Sequence, residues 1–207
     1  MKKYIIFILA ILFFASCKNG NNHVINNSIS DNNKTKHSDL KDAATIPAES
    51  IFMLTDTFRT QQNKNFILAS LAGKPTVLGM VFTNCGYACP RLTSDMKNIA
   101  EKLKGNRQKV NFVLVSFDSD RDTPPQLRKF ARQMELDSNW ILLHGSDETV
   151  RTLSVLLNVQ FEKDAEGNFS HSNIISVLDK NGLLKFRKEG LEVDHAETLV
   201  KINSLIN

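Results

Sequence analysis

From residue 51 onward the chain switches between two rhythms of apolar and polar positions, one suited to strands and the other to helices. The run 76–82, Thr-Val-Leu-Gly-Met-Val-Phe, is apolar almost throughout, as a central strand covered on both faces requires. Residues 89–104 then place Leu92, Met96, Ile99, Ala100 and Leu103 at helical spacing, and Gly105 supplies a stop. A second buried strand is predicted over 110–117. Asp122-Thr123-Pro124 follows as a cap and N-terminal proline for a helix that reaches about residue 135. Residues 140–143 read as a third strand with Trp140 in the core, and 147–157 as a third helix. Two further strands, 174–178 and 183–186, flank Asp179-Lys180-Asn181-Gly182, whose Asn-Gly pair signals a hairpin. A helix over 195–206 closes the chain. Upstream, 52–54 and 66–68 read as short strands, an N-terminal strand hairpin ahead of the main sheet. The alternation predicts one α/β domain over 46–207 with a mixed sheet.

The first 45 residues follow neither rhythm. Met1-Lys2-Lys3 is charged, 4–14 is apolar but too short to span a bilayer, and Ala15-Ser16-Cys17 closes the run with small residues. This is the pattern of a signal peptide over 1–16. It resembles a bacterial lipobox, in which Cys17 would be lipidated and begin the mature chain, although Phe14 stands where an aliphatic residue is usual. Residues 17–45, rich in Asn, Ser, Lys and Asp, read as a flexible tether in which His23 and His37 are solvated. The expected location is therefore extracytoplasmic, on a lipid anchor in a bacterial membrane and facing the periplasm, where disulfides can form. The net charge of +4 has no basic block behind it and gives no basis for nucleic-acid binding.

Lipidation of Cys17 would leave Cys85 and Cys89 as the only thiols. They lie between the first long strand and the first helix, in Phe82-Thr83-Asn84-Cys85-Gly86-Tyr87-Ala88-Cys89-Pro90. On a helical turn residues i and i+4 share a face, with Cα atoms about 6 Å apart, within disulfide range. A helix N-terminus favours the thiolate, which attacks disulfides and binds metals. Three uses remain open on these residues alone: a redox dithiol, a soft metal site and a structural disulfide. The last gains little by joining such near neighbours.

Phe82-Thr83-Asn84-Cys85 through Cys89-Pro90 resembles the Sco/SenC family. So does Ser116-Phe117-Asp118-Ser119-Asp120-Arg121-Asp122-Thr123-Pro124, a strand end followed by an Arg-Asp-Thr-Pro block. Phe169-Ser170-His171-Ser172, ahead of Leu178-Asp179 and Gly182, is similar to the family's third block. The resemblance implies a thioredoxin-like three-layer fold. It also implies a copper site, Cu(I) or Cu(II), with Cys85 and Cys89 as thiolate ligands and His171 as the third. Two positions depart from the pattern. Gly86 replaces a proline common after the first cysteine, and Ser170 replaces an acidic residue common before the histidine.

What the resemblance implies for function is a copper chaperone for the binuclear copper site of cytochrome c oxidase or a related cuproenzyme. Its partners would be the copper-site subunit, other copper chaperones or thiol reductases, and the membrane through the anchor. One rival is an enzyme, a thiol-disulfide oxidoreductase in which Cys85 and Cys89 cycle between dithiol and disulfide. Another is a redox or copper sensor. Asp118, at a strand end, is a candidate for tuning the thiols, and Asp122 reads as part of the helix cap. His144 and His195 read as structural.

Overall fold

The computed structural model describes residues 47–206. The signal segment, the tether and Cys17 lie outside the described residues.

Three parallel strands form the centre, and their sequences explain why. β3 (Thr76–Val81) is buried along its whole length, and its neighbour β4 (Asn111–Ser116) is buried at all but its first residue. β5 (Trp140–His144) continues the parallel set, pairing Trp140 with Phe112. On the other side of β3 the antiparallel hairpin of β8 (Ile174–Leu178) and β9 (Leu184–Glu189) extends the sheet. Beyond β5 lie β1 (Phe58–Thr60) and β2 (Asn65–Phe66), giving the order β2-β1-β5-β4-β3-β8-β9. A separate two-stranded sheet pairs β6 (Phe161–Lys163) with β7 (Phe169–His171).

α1 (Ala88–Lys102) lies against β3 with Cys89, Leu92, Met96 and Ile99 buried at helical spacing. It sits close because Gly79 has no side chain: a Cβ there would come within 2.8 Å of Met96 Sδ. α2 (Pro124–Gln133) packs on β5, and Lys97 of α1 donates to the Met134 carbonyl just past its end. α4 (Ala196–Ile206) packs on α1, β8 and β9. α3 (Asp147–Leu157) buries Val150, Leu153 and Leu157 in the core. Ser146 caps α3 by accepting from the Thr149 N–H at 3.1 Å, and Asp147 and Glu148 face the positive end of its dipole. The fold is thus the predicted α/β architecture with a mixed sheet. No described helix is long and apolar enough to cross a membrane.

Four expectations need correction. Residues 52–54 are not a strand: Ile51–Met53 is a 3-10 turn, capped by Ser50 Oγ on the Phe52 N–H at 3.0 Å. Ile51 and Phe52 are buried there without a strand partner, while Met53 is exposed. The segment 66–68 is half right, since β2 stops at Phe66 and a second 3-10 turn, Leu68–Leu71, follows. The N-terminal hairpin exists, but its first strand is β1. α1 ends before Gly105, at Lys102; the left-handed residue is Lys104, and a 3-10 stretch Lys104–Lys109 continues the chain. Finally, Asp122 is not part of the α2 cap. Thr123 occupies that position with no side-chain bond, and the Asp122 carboxylate is engaged elsewhere. Trp140 is in the core as expected; His195 is buried, and His144 ends β5.

The β8–β9 turn closes with the Gly182 N–H on the Asp179 carbonyl at 3.0 Å, and Gly182 adopts φ +77°. A Cβ at Gly182 would meet Ser50 Oγ at 2.6 Å and the Phe52 ring at 2.8 Å. Gly182→Ala therefore combines left-handed strain with a clash against the first 3-10 turn, and should lower stability by about 1–3 kcal/mol. Urea unfolding followed by circular dichroism checks this; an unchanged midpoint would show that the turn relaxes freely.

Candidate metal centre

β3 and β4 end side by side, and the segments leaving them build the site, as expected at the carboxyl end of a parallel sheet. From β3 the chain enters the loop 82–87 and then α1. Cys89 is the second residue of α1 and wholly buried; Cys85 lies in the loop and is partly exposed. The two cysteines are therefore not stacked on one helical turn. Tyr87 precedes the helix and gives it no side-chain cap, and the Cys85 sulfur takes that role by accepting from the Cys89 N–H at 3.4 Å. Cys89 Sγ is in turn held by the Phe82 N–H at 3.3 Å. Both thiols are free and face backbone donors.

His171 ends β7. Its Nε2 stands 3.7 Å from Cys89 Sγ, and the donor atoms of Cys85, Cys89 and His171 all lie within 4.8 Å of one another. Among the described residues this is the one His, Cys, Asp or Glu cluster of three or more at such spacing. The imidazole packs against Phe117, ring centres 5.0 Å apart, and edge-on to Phe82 at 6.0 Å. Its Nδ1 lies 3.3 Å from the Ser172 carbonyl. A proton held there leaves the Nε2 lone pair for the sulfurs, so a backbone carbonyl does for the ring what a neighbouring carboxylate would do. Gly86 is exposed with open space around it, and nothing packs there that a proline would have met.

The thiols share their protons unequally. A hydrogen bond from the Cys89 thiol, with help from the backbone N–H groups of Cys89, Tyr87 and Ala88, lowers the Cys85 pKa to about 4 against the opposing effect of burial. The same bond to Cys85, then burial, raises that of Cys89. The pair thus favours a partly exposed thiolate beside a buried thiol.

The carboxylates divide differently from expectation. Asp118 is buried against Arg121, with Lys163 3.8 Å away, and makes no hydrogen bond to either cysteine. Asp122 is the carboxylate tied to the thiol loop. It accepts from the Thr83 N–H at 2.7 Å, the Thr83 hydroxyl at 2.5 Å and the Ser116 hydroxyl at 2.6 Å. Burial raises its pKa, and the Ser116 and Thr83 hydrogen bonds oppose the rise. Sequence reasoning missed this role and the whole β6–β7 hairpin. Thr83 and Ser116, polar residues at the ends of two buried strands, were the available signal for the first. The hairpin's short polar strands carried none.

The SCO1/SenC family model matches residues 44–207. A SCO1 protein homolog of Bacillus subtilis (strain 168) is 37% identical over 94 residues, 45% of this chain and 49% of that protein. The chain thus spans about half the length of this curated relative. The crystal structure of a SCO1/SenC family lipoprotein from Bacillus anthracis str. Ames is 29% identical with a TM-score of 0.68, covering 73% of this chain and 92% of that one. BsSco, a member of the Sco family of cytochrome c oxidase assembly proteins in which a disulfide switch is identified, is 26% identical with a TM-score of 0.64, covering 73% and 91%. The family match runs through every described strand and helix and takes in Cys85, Cys89 and His171, and the chain belongs to the SCO1/SenC family.

Proposed function

We propose that this chain binds copper through Cys85, Cys89 and His171 and hands it to the binuclear copper site of cytochrome c oxidase or a related cuproenzyme. The observation that carries the reading is the convergence of two sulfurs and one imidazole nitrogen within 4.8 Å. Two thiolates and an imidazole make a soft three-donor set suited to Cu(I) and also able to hold Cu(II). A structural zinc site would ordinarily supply a fourth protein ligand. Copper is cargo here, so the site must let go of it as well as take it. Cys85 on the partly exposed side meets the ion as a ready thiolate. Cys89 gives up its proton as the metal binds, since the ion replaces the hydrogen bond that the Cys89 thiol had donated to Cys85. Work at an extracytoplasmic membrane surface, held by a lipid on Cys17, completes the proposal and is supported by the lipobox-like sequence.

The unequal thiols favour one second reading, thiol-disulfide exchange with a recipient's oxidised cysteines. The Cys85 thiolate would attack the target disulfide and form a mixed disulfide while expelling one target thiolate. Cys89 would then lose its proton and attack Cys85, releasing the second target thiolate and leaving Cys85–Cys89 oxidised. Two electrons pass to the target, which emerges reduced. His171, whose Nε2 lies 3.7 Å from Cys89 Sγ, would be a bystander in that exchange or would accept the Cys89 proton.

Anaerobic titration of the reduced protein with Cu(I) against a chromophoric chelator tests the first reading. His171→Ala should lose more affinity than the roughly 10- to 100-fold typical of an outer partner, with the dithiol's reduction potential little changed. Cys85→Ser and Cys89→Ser should each abolish the copper-thiolate absorption band. Copper affinity unchanged in His171→Ala would remove the histidine from the ligand set and with it this reading.

A pH series of iodoacetamide labelling, read by mass spectrometry, tests the proton sharing. Labelling of Cys85 should stay level from about pH 8 to pH 6 and fall as the pH drops through about 4, where the thiolate gains its proton. In Cys89→Ala the fall should move to higher pH, because the largest source of the lowering is gone. A rate that already drops about tenfold per unit below pH 8 in the native chain would show an ordinary thiol.

A further inference from the structure

β6 and β7 share no ladder with the seven-stranded sheet, and an isolated two-stranded hairpin is only marginally stable in water. Yet His171, at the end of β7, must be placed to within a fraction of an ångström to meet the sulfurs. Two sets of contacts fix the hairpin. One is aromatic: Phe161 stacks on Phe117 at 5.1 Å, and Phe169 packs on Phe117 at 5.0 Å and on Phe82 at 5.1 Å. Such ring contacts are less directional than hydrogen bonds and ion pairs.

The other set is ionic and directional. Arg121, three residues past Asp118, donates through Nε to the Asp118 carboxylate and through Nη2 to the Gly167 carbonyl in the β6–β7 turn. Gly167 has φ +82°, and a Cβ there would come within 3.3 Å of the guanidinium, so the turn is shaped to let Arg121 in. From the hairpin side, Lys163 of β6 reaches back to Asp120 at 2.7 Å and to Asp118 at 3.8 Å. Both cations also lie over the Phe169 ring, at 5.8 Å and 5.5 Å from its centre. Two carboxylates and two cations thus cross the gap between the segment after β4 and the hairpin. Asp118 has no exposed side-chain surface, so its charge has no alternative partner in water.

We infer that Asp118, Arg121 and Lys163 form an ionic lock that sets the position of His171 against the two cysteines, making them positioning residues for the site. The inference rests on the copper reading above for its effect on the metal, but the lock itself acts on the hairpin. Without it the aromatic contacts would keep the hairpin attached while the imidazole lost its fixed approach to Cys89.

Arg121→Ala and Lys163→Ala, each made in the native chain and in His171→Ala, test this. In the native chain each should weaken Cu(I) binding by about 10- to 100-fold, the range for partners that orient a ligand. In His171→Ala neither should cause further loss, because the residue they act through is gone. An equal loss in both backgrounds, or none in the native chain, would overturn the lock. Arg121→Lys should recover only part of the affinity, since one ammonium cannot span Asp118 and Gly167 as the forked guanidinium does. If Arg121→Ala fails to fold, the Lys163→Ala variant decides the matter. Amide hydrogen exchange on metal-free protein supplies a separate readout. Exchange should quicken in 161–171 with the β3 and β4 amides unchanged, and no change in the hairpin would refute the lock. If His171 proved not to be a ligand, the copper reading would fall while the exchange measurement still judged the lock.

Discussion

The carboxylate of Asp122 is the fixed point of this molecule. A buried charge is tolerated only when its oxygens are well satisfied, and here three donors converge on it from two strand ends. Ser116 belongs to β4 and Thr83 to the loop leaving β3, so the carboxylate fastens the start of the thiol loop to the neighbouring strand. The loop can then run in one direction only, delivering Cys85 beside the first turn of α1. Everything about the sulfurs that matters chemically, from the Cys89 N–H on Cys85 to the Phe82 N–H on Cys89, follows from that placement.

Asp122 and Arg121 are adjacent in sequence yet serve opposite walls of the site. One holds the loop that carries the cysteines, the other the hairpin that carries the histidine. The short segment between β4 and α2 therefore works as a common mount, made rigid by the Arg121 and Asp122 N–H groups on the Asp118 carbonyl and by the Asp118 N–H on Ser116 Oγ. A metal site assembled from distant parts of a chain needs such a mount, because independent errors in two walls would add at the ion.

Much of this was legible in the residues before any coordinates. The apolar run of β3, the helical spacing of α1 and the turn at Asp179 to Gly182 are local patterns, and they specified their elements. The resemblance in three blocks brought His171 to the cysteines, which no local pattern could have done. What stayed hidden was tertiary in origin. Phe52 reads as strand by its neighbours but is folded into a 3-10 turn by Ser50 and Gly182. The hairpin strands β6 and β7 are short and mostly polar, and their partners, the Phe82 and Phe117 rings and Arg121, all come from distant parts of the chain. Asp122 sits where a helix cap is normally found, and nothing nearby in sequence shows that Thr83 claims it instead.

The separation of His171 from Cys89 by 82 residues has a consequence for when the site can close around a metal ion. Two cysteines this close in sequence can grip a soft ion even in an unfolded chain, but the third donor arrives only after a long loop has closed and the hairpin has docked. The full three-donor grip therefore exists only in finished molecules. Ion bound by all three donors stabilises the native state by just the margin over two-donor binding in the unfolded one. Until the fold is complete the chain can hold copper by two sulfurs alone, so the three-donor grip, unlike mere occupancy, reports a finished fold.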